Sequence, residues 1–394
     1  MDVAVIGAGL GGLAAAVGVR RTGHRVTVFE RSTAPRETGA GIGIMPNGVR
    51  ALDALGVGAA MRERAAVFSL GGIRDRRGRA LLTTDQAAVA ARTGAPLVVV
   101  PRPWLRGLLA EAVGADVVRT GQRVHGLRPV DGGVEIDDGT RFDAVVVADG
   151  AGSRLRATLF PDHPGLRGSG EYAARAIAPA LPGVPLAPGE LLDRRTGERF
   201  GCMPMADGST YWYATWPGTR LSAPADPATR HAWLRERRAD WHPCVAALIA
   251  ATEPDLIHVV ETAQLQQPLP ALAVGRIALL GDAAHAMTPD LGQGAGQAFE
   301  DAVVLASVLD GATPARVPDA LARYDAVRRP RTTALLRDAA RAHRMLGAHG
   351  ALGLARDVAL RLVPAALATR ALAAQLRFDP VPAADAGREW RAVF

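Results

Sequence analysis

Residues 1–30 constrain this chain more than any other stretch. Asp2 to Ile6 is a short apolar run, as in a buried parallel strand. Gly7-Ala8-Gly9-Leu10-Gly11-Gly12 follows, then a helical pattern to about Arg21, then a second apolar strand from Arg25 to Phe29 closed by Glu30. This is the start of a βαβ unit, with G-x-G-x-x-G lying between strand and helix. Gly7 permits the tight turn, Gly9 lets the backbone approach a pyrophosphate, and Gly12 lets the helix pack on the strand. The helix N-terminus then turns free N–H groups and a positive dipole end toward the phosphates. Glu30, eighteen residues beyond Gly12, stands where an acid accepts hydrogen bonds from an adenosine ribose. An ordinary glycine-rich turn requires neither the flanking strands nor the acid. The fingerprint predicts a bound dinucleotide but does not choose between a flavin and a nicotinamide.

Further along, residues 46–64 carry helical spacing with glycine breaks, and Trp104 to Val113 reads as a helix. Residues 116–148 alternate β-prone runs with turn signals at Asp131-Gly132-Gly133 and Asp137-Asp138-Gly139, which predicts a β-meander returning to the strand Ala144 to Ala148. A proline-rich stretch then precedes a hairpin, Arg199 to Met205 and Thr210 to Trp216, around Asp207-Gly208. Ile277 to Leu280 is one more buried strand, leading to Gly281-Asp282, a glycine-rich loop and a helix through Leu309. From about Asp319 to Leu376 the pattern is helical, and the tail after Pro380 is expected to be irregular. The fold expected is α/β: a Rossmann-like dinucleotide-binding domain (1–71, 100–170 and 268–345) interleaved with a β-sheet substrate domain (72–99 and 171–267) and followed by a C-terminal helical region (346–394).

The net charge of +7 invites a nucleic-acid reading, but all 46 basic residues are arginine, with no lysine, and they are scattered. With aromatics at 5% there is no stacking surface beside a phosphate track, so no nucleic-acid partner is expected. No apolar run is long enough to span a membrane. The apolar N-terminus lacks the basic flank of a signal peptide, and the two cysteines, Cys202 and Cys244, read as buried or free thiols of a reducing cytoplasm. No metal is expected.

Two distant segments narrow the choice of dinucleotide. Val145 to Arg156 (VVVADGAGSRLR) places an acid and small residues after a buried strand, and Gly281-Asp282-Ala283-Ala284-His285 with Pro289-Asp290-Leu291-Gly292-Gln293-Gly294 does so again. With Gly39-Ala40-Gly41-Ile42, Pro46-Asn47, Arg102, Tyr211-Trp212-Tyr213 and Tyr324 to Arg331, the chain resembles the group A flavoprotein aromatic hydroxylases, the p-hydroxybenzoate hydroxylase-like family, in its salicylate and 3-hydroxybenzoate hydroxylase branch. The likeness runs over almost the whole chain. It implies FAD as cofactor, NADH or NADPH as a transient reductant, and O2 with a small electron-rich aromatic as substrates, the oxygen passing through a C4a-hydroperoxyflavin. It also implies that Glu30 holds the adenosine ribose, Arg31 and Arg102 the diphosphate side, Val124 the adenine through its backbone, Asp282 the ribityl or phosphate portion, and Asp149 both FAD and NAD(P)H. Two positions depart from the family pattern: Val147 replaces a glycine, and Ala174 replaces the tryptophan that commonly precedes the substrate-domain arginine, here Arg175. The second change leaves the pocket wall open.

The loop from Pro289 through Gly292, Gln293, Gly294 and Ala295 has a physical logic of its own. The helix after it points its N-terminus at the loop, where the N1–C2=O edge of an isoalloxazine would gather negative charge. A helix terminus contributes roughly 0.3–1 kcal/mol there, up to about 2 when partly buried. Gly292 and Gly294 let backbone N–H groups approach the ring. No second strand–GxGxxG–helix unit occurs, so the nicotinamide is expected to lack a domain of its own. For phenol ionisation, Tyr211 and Tyr213 share one face of their strand while Trp212 faces the other, and core packing is an equal account of either face. His285 reads as a structural or flavin-loop residue, Asp290 equally as a helix-start acid, and His231, His242 and His258 fall in the substrate domain without distinguishing context. The main alternative is epoxidation of an alkene; a non-catalytic flavin-binding module is a further one. A flavin halogenase is disfavoured, because the chain has no lysine and no W-x-W-x-I-P motif. A monomer or homodimer is expected, and a C-terminal helix packed on the protein is preferred to a membrane contact.

Overall fold

In the computed structural model, which describes residues 1–34, 40–68, 70–218 and 223–379, the strand Asp2–Ile6 sits inside a six-stranded sheet. The order is Ala273–Val274, Ile277–Leu279, Ala144–Val147, Asp2–Ile6, Arg25–Glu30, Val118–Thr120. All pairings are parallel except that of the two strands nearest residue 275. Val3, Ala4 and Val5 are fully buried, as are Val145 and Val147 opposite, because parallel strands are covered on both faces and so read as continuous apolar runs. The helix Leu10–Arg21 packs against the helix Gly294–Leu309, with Gly18 so close to Ala306 that an added Cβ would lie 3.0 Å from its methyl.

One difference from the sequence reading lies at Val118–Thr120. The meander proper is Leu127–Val130, Gly133–Ile136 and Arg141–Phe142, whereas Val118–Thr120 pairs in parallel with Arg25–Glu30. A three-residue, largely exposed edge strand carries no apolar signature to separate it from the alternating hairpins that follow. The expected tail after Pro380 and the Gly39 position lie outside the described residues.

A second, seven-stranded sheet runs His258–Leu265, Leu166–Ala178, Thr210–Pro217, Arg199–Pro204, Gly189–Leu192, Leu70–Asp75, Ala80–Asp85. It is antiparallel apart from the pairing of Gly189–Leu192 with Leu70–Asp75. Its two faces differ in chemistry. One carries Tyr172, Phe200, Trp212 and Trp216 against the helices Pro227–Arg237 and Pro243–Ala250, and it buries both free thiols, Cys202 and Cys244. The other carries Tyr211, Met203 and Ile177 and meets Ala40 and Met45, which flank the strand Gly41–Ile44, and Val99 of its partner strand Val98–Pro101. Period-two alternation thus sends Trp212, whose Nε1 donates to Thr252 Oγ1 at 2.9 Å, away from the two tyrosines. The long helix Val317–Leu346 returns across the first sheet, where Tyr324 donates to the Leu279 carbonyl at 2.9 Å. Gly350–Leu362 and Ala365–Gln375 close the fold, the last through Ala373 and Leu376 against Val89. Among the described residues no helix is long and apolar enough to cross a membrane.

Candidate active site

The fingerprint turn is built as its glycines require. Gly7 has φ of +112°, and a Cβ there would lie 2.4 Å from the Ala148 carbonyl oxygen. At Gly12 a Cβ would lie 2.0 Å from the Gly7 oxygen, whereas at Gly9 nothing comes within 4 Å. Glycine is therefore needed at two positions for packing and leaves open space at the third. No side chain caps the helix Leu10–Arg21, so its first N–H groups are left for an anion. Glu30 Oε2 accepts the Ala8 N–H at 2.9 Å and Oε1 the Ser32 N–H at 2.8 Å. Burial works against this carboxylate's charge, but the N–H donors of Ser32 and Ala8 outweigh it and hold its pKa below the usual range. Arg106 supports the same turn by donating to the Ala8 carbonyl at 3.0 Å; nothing in the sequence pattern singled it out.

Asp149 stands at the end of the strand Ala144–Val147 with one carboxylate oxygen buried and without a partner. Burial raises its pKa, against hydrogen bonding from Ser153. Asp282 is exposed, 3.9 Å from where a Cβ on Gly294 would be. Arg156 ties the two acidic segments together, donating to the carbonyls of Ala151 at 2.7 Å and Ala283 at 3.1 Å. Arg102 opens the helix Arg102–Val113; burial pulls its pKa down, opposed by Asp282. An orphaned buried carboxylate oxygen, an uncapped helix and open space at Gly9, Gly150 and Gly152 together fit an adenine dinucleotide carrying a second ring system. Arg31 is exposed at the strand end, and Val124 packs half-buried against the first core.

The glycine-rich loop leads through Pro289–Leu291 and a left-handed Gly292 (φ +62°) into the helix Gly294–Leu309. No side chain caps that helix, leaving the N–H groups of its first turn at the loop. Gln293 contributes only backbone there: its side chain is buried, accepting from Asn47 Nδ2 at 2.8 Å and Gln297 Nε2 at 3.1 Å. Beneath it lies a buried ionic network. Arg328 donates to Asp301 Oδ1 and Glu300 Oε2, both at 2.6 Å, and to Gln297 Oε1 at 2.7 Å. Arg331 bridges both oxygens of Glu300 at 2.6 and 2.8 Å, and Asn47 donates to Glu300 at 2.7 Å. Asp301 accepts the Gly281 N–H at 3.0 Å and pairs with His285 Nε2 at 2.6 Å. Burial opposes its charge, yet His285 and Arg328 hold its pKa down at about 2. The network clamps the Gly281-Asp282 turn and the start of the Gly294–Leu309 helix to one scaffold. His285 is accordingly a scaffold residue.

Facing this loop, the substrate sheet carries a second buried cluster. Arg199 reaches Glu171 at 2.5 Å, Asp290 at 2.6 Å and Glu190 at 3.3 Å. His343, from the last turn of the helix Val317–Leu346, meets Asp290 at 3.2 Å. Glu171, Asp290 and His343 could group about a cation, and the Arg199 guanidinium already occupies that role. Asp290 is thus both the acid in the first turn of Pro289–Leu291 and an inter-element ion-pair partner, and nothing local in the sequence marks the second role. Tyr213 donates to Glu190 Oε1 at 3.1 Å. Burial pushes the Tyr213 phenol well above its usual value, and burial raises Glu190 too, countered by Arg199. Tyr211 lies against Gly41, where a Cβ would come within 2.5 Å of it, with Arg102 and Arg175 close enough to offset part of the effect of burial on its phenol.

The sequence matches the FAD binding domain family over residues 1–339. The chain belongs to the FAD-dependent monooxygenases. Among relatives of this enzyme, the aurachin C monooxygenase/isomerase of Stigmatella aurantiaca is 36% identical over 340 residues, covering 83% of this chain and 85% of that one. The 3-amino-4-hydroxybenzoate 2-monooxygenase PtnB3 of Streptomyces platensis is 35% identical over 341 residues, 84% of each chain. In structure, Klebsiella pneumoniae HpxO, solved with FAD and uric acid, superposes with a TM-score of 0.86 at 31% identity, over 95% of this chain and 96% of that one. The enzyme thus uses FAD and shares the mixed α/β flavoprotein hydroxylase fold that its motifs implied.

Proposed function

We propose that this monooxygenase hydroxylates an electron-rich aromatic or heteroaromatic ring carrying an ionisable O–H or N–H, and that Tyr213 with Glu190 takes up that proton. The observation carrying the reading is the 3.1 Å hydrogen bond from the Tyr213 hydroxyl to the largely buried Glu190 carboxylate, 16% exposed, on the sheet face that fronts the Gly292 loop. When bound, FAD supplies the reductive activation of O2 and the electrophilic oxygen; the protein supplies position, dryness and charge. The donor in the Tyr213–Glu190 bond is the phenol, so its oxygen is free to accept a hydrogen bond from a substrate O–H. As that proton arrives, the phenol's own proton passes to Glu190, whose pKa is raised by burial, which makes it a better proton acceptor than a solvated carboxylate. The ring left behind is more nucleophilic. Arg175, paired through its guanidinium with no acid among the described residues, offers a cation to an acidic substituent beside Tyr211. The residues proposed to hold FAD are Gly7, Gly9, Gly12, Glu30, Arg102, Asp149, Asp282 and the loop Pro289 to Ala295. The small aromatic or heteroaromatic substrates named for HpxO and the aminohydroxybenzoate enzyme support this substrate class.

The test is Tyr213→Phe beside Glu190→Gln, assayed with an ionisable substrate found by screening substrate-dependent NAD(P)H oxidation. Loss of a proton acceptor removes about 10²-fold or more in hydroxylation rate, with the acidic limb of the pH profile displaced and more reductant spent on H2O2. A Tyr213→Phe enzyme with the parent's rate and pH profile would refute the assignment.

A further inference from the structure

A cavity of about 230 Å³ opens where the tips of two hairpins of the substrate sheet meet the end of the helix Gly350–Leu362. Arg77 and Arg79 come to it from one tip, Arg194 and Arg195 from the other, and Arg361 from the helix. None of these five guanidinium groups has a hydrogen bond or ion pair to any described residue. The acids in the wall are already engaged. Asp75 accepts the backbone N–H groups of Arg77 at 2.9 Å and Arg79 at 3.0 Å. Asp193 accepts the Arg195 N–H at 2.9 Å and lies 3.9 Å from Arg76. Asp357 is held by Arg356 at 2.7 and 3.0 Å. Asp193 and Asp357 thus have arginine partners, Asp75 keeps its charge among backbone N–H groups, and five guanidinium groups against that one carboxylate leave the net charge facing the cavity positive.

Like charges converging on one concavity repel one another and concentrate an anion there. Planar guanidinium forks match tetrahedral phosphate oxygens in pairs. Because the forks arrive from three separate segments around one solvent-open concavity, they suit a compact, multiply charged anion better than an extended strand. We propose that this cavity is a binding site for the diphosphate group of a nucleotide-type small molecule, separate from the FAD site. The diphosphate belongs either to the reductant NAD(P)H or to a free nucleotide.

The experiment is calorimetric titration of the FAD-loaded enzyme with inorganic pyrophosphate at low ionic strength, repeated on the double variant Arg194→Ala/Arg195→Ala. Saturable binding is expected in the parent. In the variant it should weaken about tenfold or more, the equivalent of one lost charge-assisted contact. Both arginines are exposed, so FAD content and the circular dichroism spectrum should be unchanged. A second arm asks the source. If pyrophosphate competes with NADPH, and the variant raises the KM for NADPH at constant kcat, the site holds the reductant's diphosphate. If pyrophosphate binds there without either effect, the ligand is a free diphosphate or nucleotide. Absence of saturable pyrophosphate binding, or binding that the double variant leaves unchanged, overturns the proposal.

Discussion

Replacing Arg328 by methionine isolates the device that holds the flavin loop. The side chain is 1% exposed and makes charge-assisted bonds to Asp301, Glu300 and Gln297. Methionine keeps much of the apolar volume and removes every one of those bonds. Neither acid is left bare: Asp301 keeps His285 and the Gly281 N–H, and Glu300 keeps Arg331 and Asn47. Breaking a buried pair by deleting one partner costs about 3–5 kcal/mol, and the surviving partners place this case near the lower end. Against a total stability of roughly 5–15 kcal/mol, about 3 kcal/mol lowers the thermal midpoint of a 394-residue chain by about 4 °C. The same acids anchor Gly281 and, through Asn47, Gln293, so the loop should loosen before the fold does. Thermal unfolding followed by circular dichroism, with flavin fluorescence recorded in parallel, should show FAD release shifting further than loss of helix. A midpoint within about 1 °C of the parent, with FAD fully retained, would refute the reasoning.

Two other perturbations probe separate parts of the site. Gly12→Ala places a methyl 2.0 Å from the Gly7 oxygen, an overlap the turn relieves only by moving, so purified protein should hold less than about a tenth of its FAD while keeping its helical spectrum; full flavin occupancy would count against the fingerprint geometry. His343 has its pKa raised by its hydrogen bond to Asp290, against burial, with Glu171 adding to the rise and Arg199 opposing it. Protonation is thus favoured in the folded state: the stabilisation is complete below the unfolded pKa of about 6.5 and is lost as pH rises through the raised folded value. His343→Gln should remove that slope from the stability profile on the neutral to alkaline side. An unchanged profile would show that the pair contributes nothing there.

What could be read in the sequence divides by range. The Gly7, Gly9, Gly12 and Glu30 unit is local: a turn, a strand end and a helix start within one βαβ segment, each residue type required by the geometry beside it. The opposite orientations of Trp212 and Tyr211 followed from alternation along one strand. The Arg199–Glu171–Asp290–His343 cluster was not legible, because four elements far apart in sequence supply it and no spacing rule connects them. Asn47 and Arg331 fell in recognisable segments, yet their burial against Glu300 is a property of packing. Glu190 follows a proline-rich stretch whose strand, Gly189–Leu192, is too short to announce a face. Val118–Thr120 is hidden in the sequence for a similar reason, its exposed edge position giving it no continuous apolar run.

The central claim is that the enzyme inserts one atom of O2 into an activated aromatic ring. Turnover of a productive substrate under heavy-oxygen-labelled O2, with product analysed by mass spectrometry and its position by NMR, tests that claim most directly. The account predicts one labelled atom in a new C–OH ortho or para to the activating group, with the other atom in water. Product labelled only from heavy-oxygen water would contradict it.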